Sequence, residues 1–189
     1  MGITLTHFIW LGWVKNISTS MLAFDISQFF SLLNHQLLPL IIDKVGLDCK
    51  VSTFFKNYLV RRKTKYLWNN FLSPFCSVNV GVSQGSALSL ILSALYLEKH
   101  LQILKIPILI IYFVNNGLFI SQKKSISHSN TNLFCSYNVI SSLLMRFRLI
   151  VEQGKTEVFH FSRSHGVFNP LSLDLTAIGG PILLPKTSW

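Results

Sequence analysis

Short apolar runs alternate along the chain with segments in which apolar residues recur every three or four positions, a pattern that predicts strands alternating with helices. The run MLAFDI, Met21 to Ile26, predicts a buried strand that ends at an aspartate. The run from Ile106 to Gln122 is broken by Asn115-Asn116-Gly117 and therefore predicts a β-hairpin. Because asparagine followed by glycine accepts positive φ, we expect the turn of this hairpin at the two asparagines.

Caps and turn residues locate the helices and short strands of the first half of the chain. One helix is predicted with Asn34 as its cap, a disturbance at Pro39 and an end at Gly46. KVSTFFKNYLV, residues 50–60, predicts a second helix. TKYLWNN and FCSVNVG predict short strands on either side of a turn.

The two longest helices are predicted from their apolar faces. The helix that follows QGS has an apolar face formed by Leu88, Ile91, Leu92 and Leu95. The other runs from about residue 130 to residue 147, and its apolar face is formed by Leu133, Tyr137, Ile140, Leu144 and Phe147. LIVEQGKTEVFHFS then predicts two strands around Gly154. This order of elements predicts an α+β domain with a ferredoxin-like core.

The chain is apolar for a soluble protein, since 50% of its 189 residues are hydrophobic and the mean hydropathy is +0.45. The longest apolar run, Ile106 to Val114, has nine residues, whereas a membrane-spanning helix needs about 20. The N-terminus, MGITLTHFIWLGWVK, lacks the basic start and the small-residue cleavage site of a signal peptide. We therefore expect no membrane partner, and a membrane-associated protein is the less favoured alternative.

The net charge is +10, from 17 lysines and arginines against 7 aspartates and glutamates. The basic residues cluster in RRKTK, Arg61 to Lys65, directly before the aromatic residues of YLW. This composition suits a phosphate backbone, although basic residues also serve solubility alone. The three cysteines are widely spaced and form no C-x-x-C pair, which favours a reducing, intracellular location over a disulfide framework or a zinc site.

Four motifs stand in the order and approximate spacing of the palm motifs of reverse transcriptases: LAFDISQFF, GVSQGSALSLILSALYL, YFVNNGLFIS and LIVEQGKTEVFHFSRS. On these motifs the chain resembles the reverse transcriptase domain of a non-LTR (LINE-type) retrotransposon, from about Leu11 to the end. The resemblance implies a single partial domain over residues 1–189, with the palm motifs at about 21–163. It implies an α+β palm with partial fingers and no thumb.

The function implied by the resemblance is RNA-directed DNA synthesis, a phosphoryl transfer assisted by two Mg²⁺ ions. Its implied partners are an RNA template, a DNA primer and a dNTP. Asp25 matches the first metal-binding aspartate, and the backbone carbonyl of Ile26 is a further implied ligand. Asn115 and Asn116 stand where the family has two catalytic aspartates, with Asn115 as the implied metal ligand. An aspartate that simply ends a strand at a turn is the structural alternative for Asp25.

Five further positions match residues that contact the substrate or the template. Phe30 matches the aromatic residue that screens the sugar 2′ position, and core packing is its alternative role. Gln84, Gly85 and Ser86 match the motif that lies against the templating pair and the incoming nucleotide, where a glycine allows close approach; a helix cap is the alternative. Lys155 matches the catalytic lysine near the triphosphate, and a solvated lysine after a glycine turn is the alternative.

The hairpin departs from the family pattern at its two charged positions. The family's aromatic-x-Asp-Asp is Phe113-Val114-Asn115-Asn116 in this chain, so one carboxylate, Asp25, would face two divalent cations. A loss of only ~4 kcal/mol of transition-state stabilisation lowers a rate about a thousandfold. We therefore predict impaired Mg²⁺ binding and a catalytically inactive chain. A non-catalytic nucleic-acid-binding remnant, or a reading frame without a selected function, is the alternative.

Four departures from the family pattern, two at the hairpin and two at prolines, predict how the gene arose. Asp-Asp becomes Asn115-Asn116 by one G-to-A change per codon, and the family's prolines become Ser31 and Leu90 by one C-to-T change each. A C-to-T change on one DNA strand is a G-to-A change on the other, so all four changes are the same transition. Cytosine deamination produces this transition. We expect the locus to be one copy of a dispersed repeat, with sibling copies that retain Asp-Asp. Alignment of sibling copies tests this: an even mixture of transitions and transversions, or Asn-Asn in every copy, would contradict it.

Overall fold

The computed structural model describes residues 2–101, 108–161, 172–176 and 181–186. Contacts between Cα atoms divide the chain into two compact units. The first unit combines Met1–Ser27 with Leu104–Trp189, and the second is Gln28–Ile103. Each unit has its own secondary structure and its own packing.

The helices and strands of the described residues are bounded as follows, in chain order. They are α1 (Gly2–Val14), β1 (Ser18–Ser27), α2 (Phe29–Leu32), α3 (Leu37–Val45), α4 (Cys49–Leu59), β2 (Lys63–Thr64), β3 (Leu67–Trp68), β4 (Phe71–Leu72), β5 (Cys76–Ser77), α5 (Ala87–Leu101), β6 (Leu109–Phe113), β7 (Asn116–Lys123), α6 (Ile126–Arg146), β8 (Ile150–Val151), a 3₁₀ turn (Gln153–Lys155), β9 (Glu157–Phe161), β10 (Leu173–Asp174), β11 (Ile182–Leu183) and β12 (Pro185–Lys186). Among these described helices, none is both long and apolar enough to cross a membrane.

The first unit is built on a sheet with β1 at its centre, in the order β12-β9-β1-β7-β6. β1 pairs antiparallel with β7 from Ser18↔Lys123 to Asp25↔Asn116. Its other edge pairs antiparallel with β9 and then with β8, the two strands predicted around Gly154. Four of these strands follow the order β9-β1-β7-β6, which is that of a ferredoxin-like core. The α+β fold is therefore confirmed, with a sheet that is antiparallel except for the parallel pair of β12 with β9.

The central strand β1 is buried on both faces, which explains why MLAFDI is apolar throughout instead of alternating. On one face Met21 packs with Leu118 and Ile120. On the other face Phe24 lies against Phe119, with their ring centroids 4.9 Å apart. α6 contacts both β1 and β7, and its buried face includes Leu133, Tyr137, Ile140 and Leu144, as predicted. Phe147, the fifth predicted member of that face, is half-buried at the residue after the helix.

The predicted apolar face of α5 is wrong by one position. Of its four predicted members only Leu92 is buried, while Ile91 is exposed. The buried positions are Ser89, Leu92, Ser93, Tyr96 and Leu97. The Ser93 hydroxyl donates a hydrogen bond of 2.5 Å to the carbonyl of Ser89, so a serine satisfies its polar group within the helix and can lie inside.

In the second unit, α3 packs against α4 and α5. α3 ends at Gly46, whose φ of 76° is the left-handed conformation that glycine adopts at helix ends. Its N-cap is Gln36 and not Asn34, although the Asn34 side chain accepts a hydrogen bond of 2.8 Å from the Gln36 N–H. Pro39 lies in the first turn, where its missing N–H would have no helical acceptor. The predicted disturbance of the helix at Pro39 is therefore wrong.

We predict that Gly117→Ala destabilises the first unit. A Cβ at Gly117 would lie 2.0 Å from Cζ of the Phe24 ring, which is itself held against Phe119. Because the backbone φ of Gly117 is ordinary, the cost is steric, and overpacking of this kind costs roughly 1–3 kcal/mol. Urea denaturation measures the change in the free energy of unfolding.

Gly154→Ala is the matched control, since a Cβ there would meet nothing within 4 Å. We expect it to change the free energy of unfolding by less than about 0.5 kcal/mol. The double variant Phe24→Ala/Gly117→Ala should be less destabilised than the sum of its single changes, because the clash is removed with the ring. Additive effects would show that the ring contact is not the cause.

Candidate functional site

The end of β1 and the tip of the β6–β7 hairpin form one cluster within the first unit. Asp25 is paired in register with Asn116, and the N–H of Ile26 donates a hydrogen bond of 2.8 Å to the carbonyl of Asn115. These residues are about ninety positions apart in sequence, yet strand pairing places them side by side. The predicted juxtaposition of Asp25 with the two asparagines is thus observed.

The conformation of the hairpin turn differs from the sequence prediction. Phe113 pairs with Asn116, so the two loop residues are Val114 and Asn115. Val114 has a φ of 59°, whereas Asn115, Asn116 and Gly117 do not have positive φ. A β-branched residue pays a steric penalty in this region, and the fixed pairing of the flanking strands holds it there. The asparagines therefore do not serve the turn through their backbone conformation.

Both carboxylate oxygens of Asp25 have a partner from this cluster. Oδ2 accepts a hydrogen bond from Nζ of Lys155 at 2.8 Å, and Oδ1 accepts one from Nδ2 of Asn115. Asn116 Nδ2 in turn donates to Oδ1 of Asn115 at 3.2 Å. Asp25 itself is 6% exposed. A nearly buried carboxylate is stabilised by such partners, which replace the water that burial removes.

Lys155 reaches Asp25 because backbone pairing anchors the turn that carries it. β8 pairs with Ile26 and Ser27, and the N–H of Glu152 then donates a hydrogen bond of 2.8 Å to the carbonyl of Asp25. The 3₁₀ turn that follows ends at Lys155. The hydrogen bond and the negative charge of Asp25 raise the pKa of the Lys155 ammonium above its usual value. The Lys155 side chain is otherwise mostly exposed.

The donor set of this cluster does not fit a pair of Mg²⁺ ions. Two such ions carry four positive charges and favour carboxylate oxygens, whereas the cluster offers one carboxylate, already paired with an ammonium. In the described part of the chain no group of three or more His, Cys, Asp or Glu side chains could hold a metal ion. What the cluster can do chemically is hold one buried negative charge without a cation from solution.

The other predicted site residues lie in the second unit. Phe30 is half-buried in α2, beside Phe29, with 5.9 Å between the ring centroids. Its carbonyl accepts a hydrogen bond of 2.7 Å from the N–H of Val82, which places the segment before Gln84 next to it. Gln84 and Gly85 are exposed, and a Cβ on Gly85 would meet only open space. The roles of Phe30, Gln84, Gly85 and Ser86 toward a nucleotide stay predictions.

Two residues near this turn were missed by the sequence reasoning. Tyr58 has a lowered pKa, chiefly because its hydroxyl hydrogen-bonds with Ser86. The Arg62 guanidinium lies 5.2 Å from the centre of the Tyr58 ring and donates a hydrogen bond of 2.6 Å to the Ser83 hydroxyl. Tyr58 lies in the last turn of α4 and Arg62 lies three residues beyond its end, so no helical spacing links them, and only the nearness of a ring and a cation in the sequence could have suggested the contact.

Comparison with known proteins identifies the fold and not a family. No protein-family model and no curated protein matches the chain. A solved telomerase from Candida tropicalis, in complex with a TWJ fragment of telomeric RNA, is similar with a TM-score of 0.60 and 15% identity, over 89% of this chain and 30% of that one. An apo telomerase from the same organism, truncated from its C-terminal domain, has a TM-score of 0.49 and 17% identity, over 87% of this chain and 35% of that one.

The chain therefore spans about a third of the length of these telomerases. Telomerase is an enzyme related to reverse transcriptases, so the similarity to the first of these structures is consistent with a reverse transcriptase-like fold. That result agrees at the level of the fold with the resemblance drawn from the four motifs.

We predict that the Lys155–Asp25 pair stabilises the first unit at neutral pH and loses this effect at alkaline pH. The folded pKa of Lys155 is raised above its ordinary value of 10.5, so its contribution is complete below that value and is lost as the pH rises through the folded pKa. Lys155→Gln should therefore lower the free energy of unfolding at neutral pH, and the difference from the wild type should shrink above about pH 10.5.

Denaturant titrations from pH 7 to 11.5 measure this difference. Lys124→Gln, at an exposed lysine of the same unit, is the matched control and should show no such convergence. A Lys155→Gln difference that stays constant up to the highest pH would contradict the assigned ion pair.

Proposed function

We propose that the chain is a reverse transcriptase palm of non-LTR retrotransposon origin that binds nucleic acid but does not extend it. One observation carries the proposal: the groups around Asp25 are hydrogen-bond donors, where a catalytic site for nucleotide addition needs further carboxylates. The composition of this cluster supports the proposal, since three of the four motifs, those of Asp25, Asn115 and Lys155, each contribute a residue to it.

The change from carboxylate to amide at the hairpin turns a repulsion of the Asp25 carboxylate into an attraction. Two carboxylates facing Asp25 would repel it, and only bound cations could hold them together. The Nδ2 of Asn115 is a donor, so it attracts the carboxylate and needs no cation. Lys155 supplies the remaining positive charge. Mg²⁺, which the resemblance implies, would have to compete with the ammonium of Lys155 for a single carboxylate, so we assign no catalytic step to it.

Binding to nucleic acid depends on different features of the chain. The net charge of +10 favours association with a phosphate backbone, and this attraction needs no catalytic metal. The telomerase with the similar fold was solved with an RNA fragment. We therefore propose RNA template strands and RNA–DNA hybrids as the partners of this chain.

We predict that the full chain binds an RNA–DNA primer–template but adds no nucleotide to the primer with either Mg²⁺ or Mn²⁺. Fluorescence anisotropy should show affinity that falls more than about tenfold between roughly 50 and 200 mM salt, because binding releases counterions. Primer extension in the same samples should remain at background. Affinity that is independent of salt would contradict the binding part of the proposal.

Two variants control the catalytic part. Asp25→Asn removes the carboxylate of the cluster. Primer extension that is present in the wild type and absent in Asp25→Asn would overturn the proposal. Equal extension by both proteins would identify a contaminating polymerase. Asn115→Asp/Asn116→Asp restores the family's charges and should bind Mn²⁺ at least about tenfold more tightly than the wild type by titration calorimetry. Equal Mn²⁺ affinity would show that amide substitution is not what weakens the site.

A further inference from the structure

The second unit carries an exposed hairpin between Arg62 and Val78, in which two short ladders follow each other. β2 pairs with β5, and β3 pairs with β4 through Leu67↔Leu72 and Trp68↔Phe71. The turn is Asn69-Asn70, and both residues have positive φ (44° and 65°), as in a type I′ turn. We call residues 63–77 the aromatic hairpin.

The aromatic hairpin exposes its side chains on both of its faces. From Lys65 to Ser77 every residue is exposed except Ser73. The four exposed aromatic side chains are Tyr66 (66%), Trp68 (75%), Phe71 (67%) and Phe75 (66%). Soluble monomers rarely expose apolar groups so densely, and such patches mark sites of interaction.

Hydrogen bonds fix the aromatic hairpin in this conformation. The N–H of Ser73 donates to the carbonyl of Tyr66 at 2.9 Å, and the N–H of Tyr66 donates to the Ser73 hydroxyl at 2.8 Å. The N–H of Val78 donates to the carbonyl of Arg62 at 2.9 Å and closes the base. A ligand would therefore meet rings that are already positioned, which lowers the entropy lost on binding.

The lysines and arginines around the aromatic hairpin are not balanced by acidic residues in the same segment. Residues 49–97 contain six lysines and arginines and no aspartate or glutamate. Two of the lysines lie beside a ring of the aromatic hairpin: Lys65 Nζ is 4.1 Å and Lys63 Nζ is 6.0 Å from the centre of Phe75. Rings and cations are thus interleaved over a few residues. A ligand that offers flat aromatic faces for the rings and a row of negative charges for the lysines would complement them.

We propose that the aromatic hairpin binds single-stranded nucleic acid, with bases stacked on Trp68 and Phe71 and phosphates beside Lys63 and Lys65. The inference rests on the nucleic-acid binding proposed above and names its site and the form of nucleic acid. Unpaired bases offer free faces for stacking, which the bases of a duplex do not.

A membrane surface fits the aromatic hairpin less well. A hairpin that enters the interface of a bilayer inserts its tip most deeply, and the tip here is Asn69-Asn70. Burial of two amides without hydrogen-bond partners is unfavourable. The apolar groups lie along the strands instead, at positions where successive bases could stack.

The test uses the full chain and a fluorescein-labelled oligo(U) or oligo(dT) of about 15 nucleotides, the length a single-strand binding module covers. Trp68→Ala/Phe71→Ala should raise the Kd at least about tenfold, since each stacked base contributes substantially. The matched control is Leu67→Ala/Leu72→Ala, which removes the other cross-strand pair but no ring and should leave the Kd within about twofold. The wild type should bind a duplex of equal length more weakly than the single strand.

Two further readouts keep the test independent of folding defects. Trp68→Phe retains a ring, so it should bind like the wild type while losing most of the tryptophan quenching that the oligonucleotide causes. Lys63→Gln/Lys65→Gln should make the dependence of log K on log salt shallower, by about 0.7 for each lost phosphate contact. Lys15→Gln/Lys124→Gln, at lysines of the first unit, should leave that slope nearly unchanged.

The outcomes separate this inference from the proposed function. A wild type that binds neither single strands nor hybrids would overturn both. A wild type that binds with the expected salt dependence, but to which Trp68→Ala/Phe71→Ala makes no difference, would overturn the hairpin site alone. Loss of binding to anionic phospholipid vesicles in that variant, with oligonucleotide binding unchanged, would overturn it in favour of a membrane surface.

Discussion

The antiparallel pairing of β1 with β7 is the constraint on which the rest of the first unit depends. A slip of one residue in this register would turn every side chain of β7 to the opposite face of the sheet. Phe119 would then leave Phe24, and Asn115 would no longer lie beside Asp25. Gly117 fixes the register sterically, because only a residue without a side chain fits opposite the Phe24 ring. The core and the candidate site are therefore specified by the same set of strand contacts.

The electrostatics of the cluster follow from where that register places the chain. Asp25 is nearly buried at the end of a central strand, and a buried carboxylate needs compensation. Metal ions would compensate it in a site with more carboxylates, whereas here an ammonium and an amide do so. Asparagine is nearly the same size and shape as aspartate, so an exchange between the two at the hairpin tip would leave the backbone pairing untouched. The fold of the first unit therefore does not depend on which of the two residues stands there.

The fold was more predictable from the sequence than the details of the site. The strands and α6 were found because their apolar runs and periodicity reflect burial directly. The face of α5 was missed because two serines, Ser89 and Ser93, are buried in it, and serine carries no apolar signal; the Ser93 hydroxyl can lie inside because it donates to the carbonyl of Ser89. The conformation of Val114 could not be foreseen, because strand pairing imposes it against the local preference of a β-branched residue. The Lys155–Asp25 ion pair is likewise tertiary, and the motif match suggested only that Lys155 lies near the site.

The two regions of interest differ in what holds their side chains in place. Asp25, Asn115 and Lys155 are linked by hydrogen bonds, so their positions follow from the packing of the sheet and from one another. The rings of the aromatic hairpin contribute little buried area to the second unit, since they are mostly exposed. Their stabilising contribution to folding is correspondingly small, because apolar side chains stabilise through the area they remove from water. Folding therefore accounts for the arrangement around Asp25, whereas it does not account for four exposed aromatic residues among lysines, which a ligand would cover.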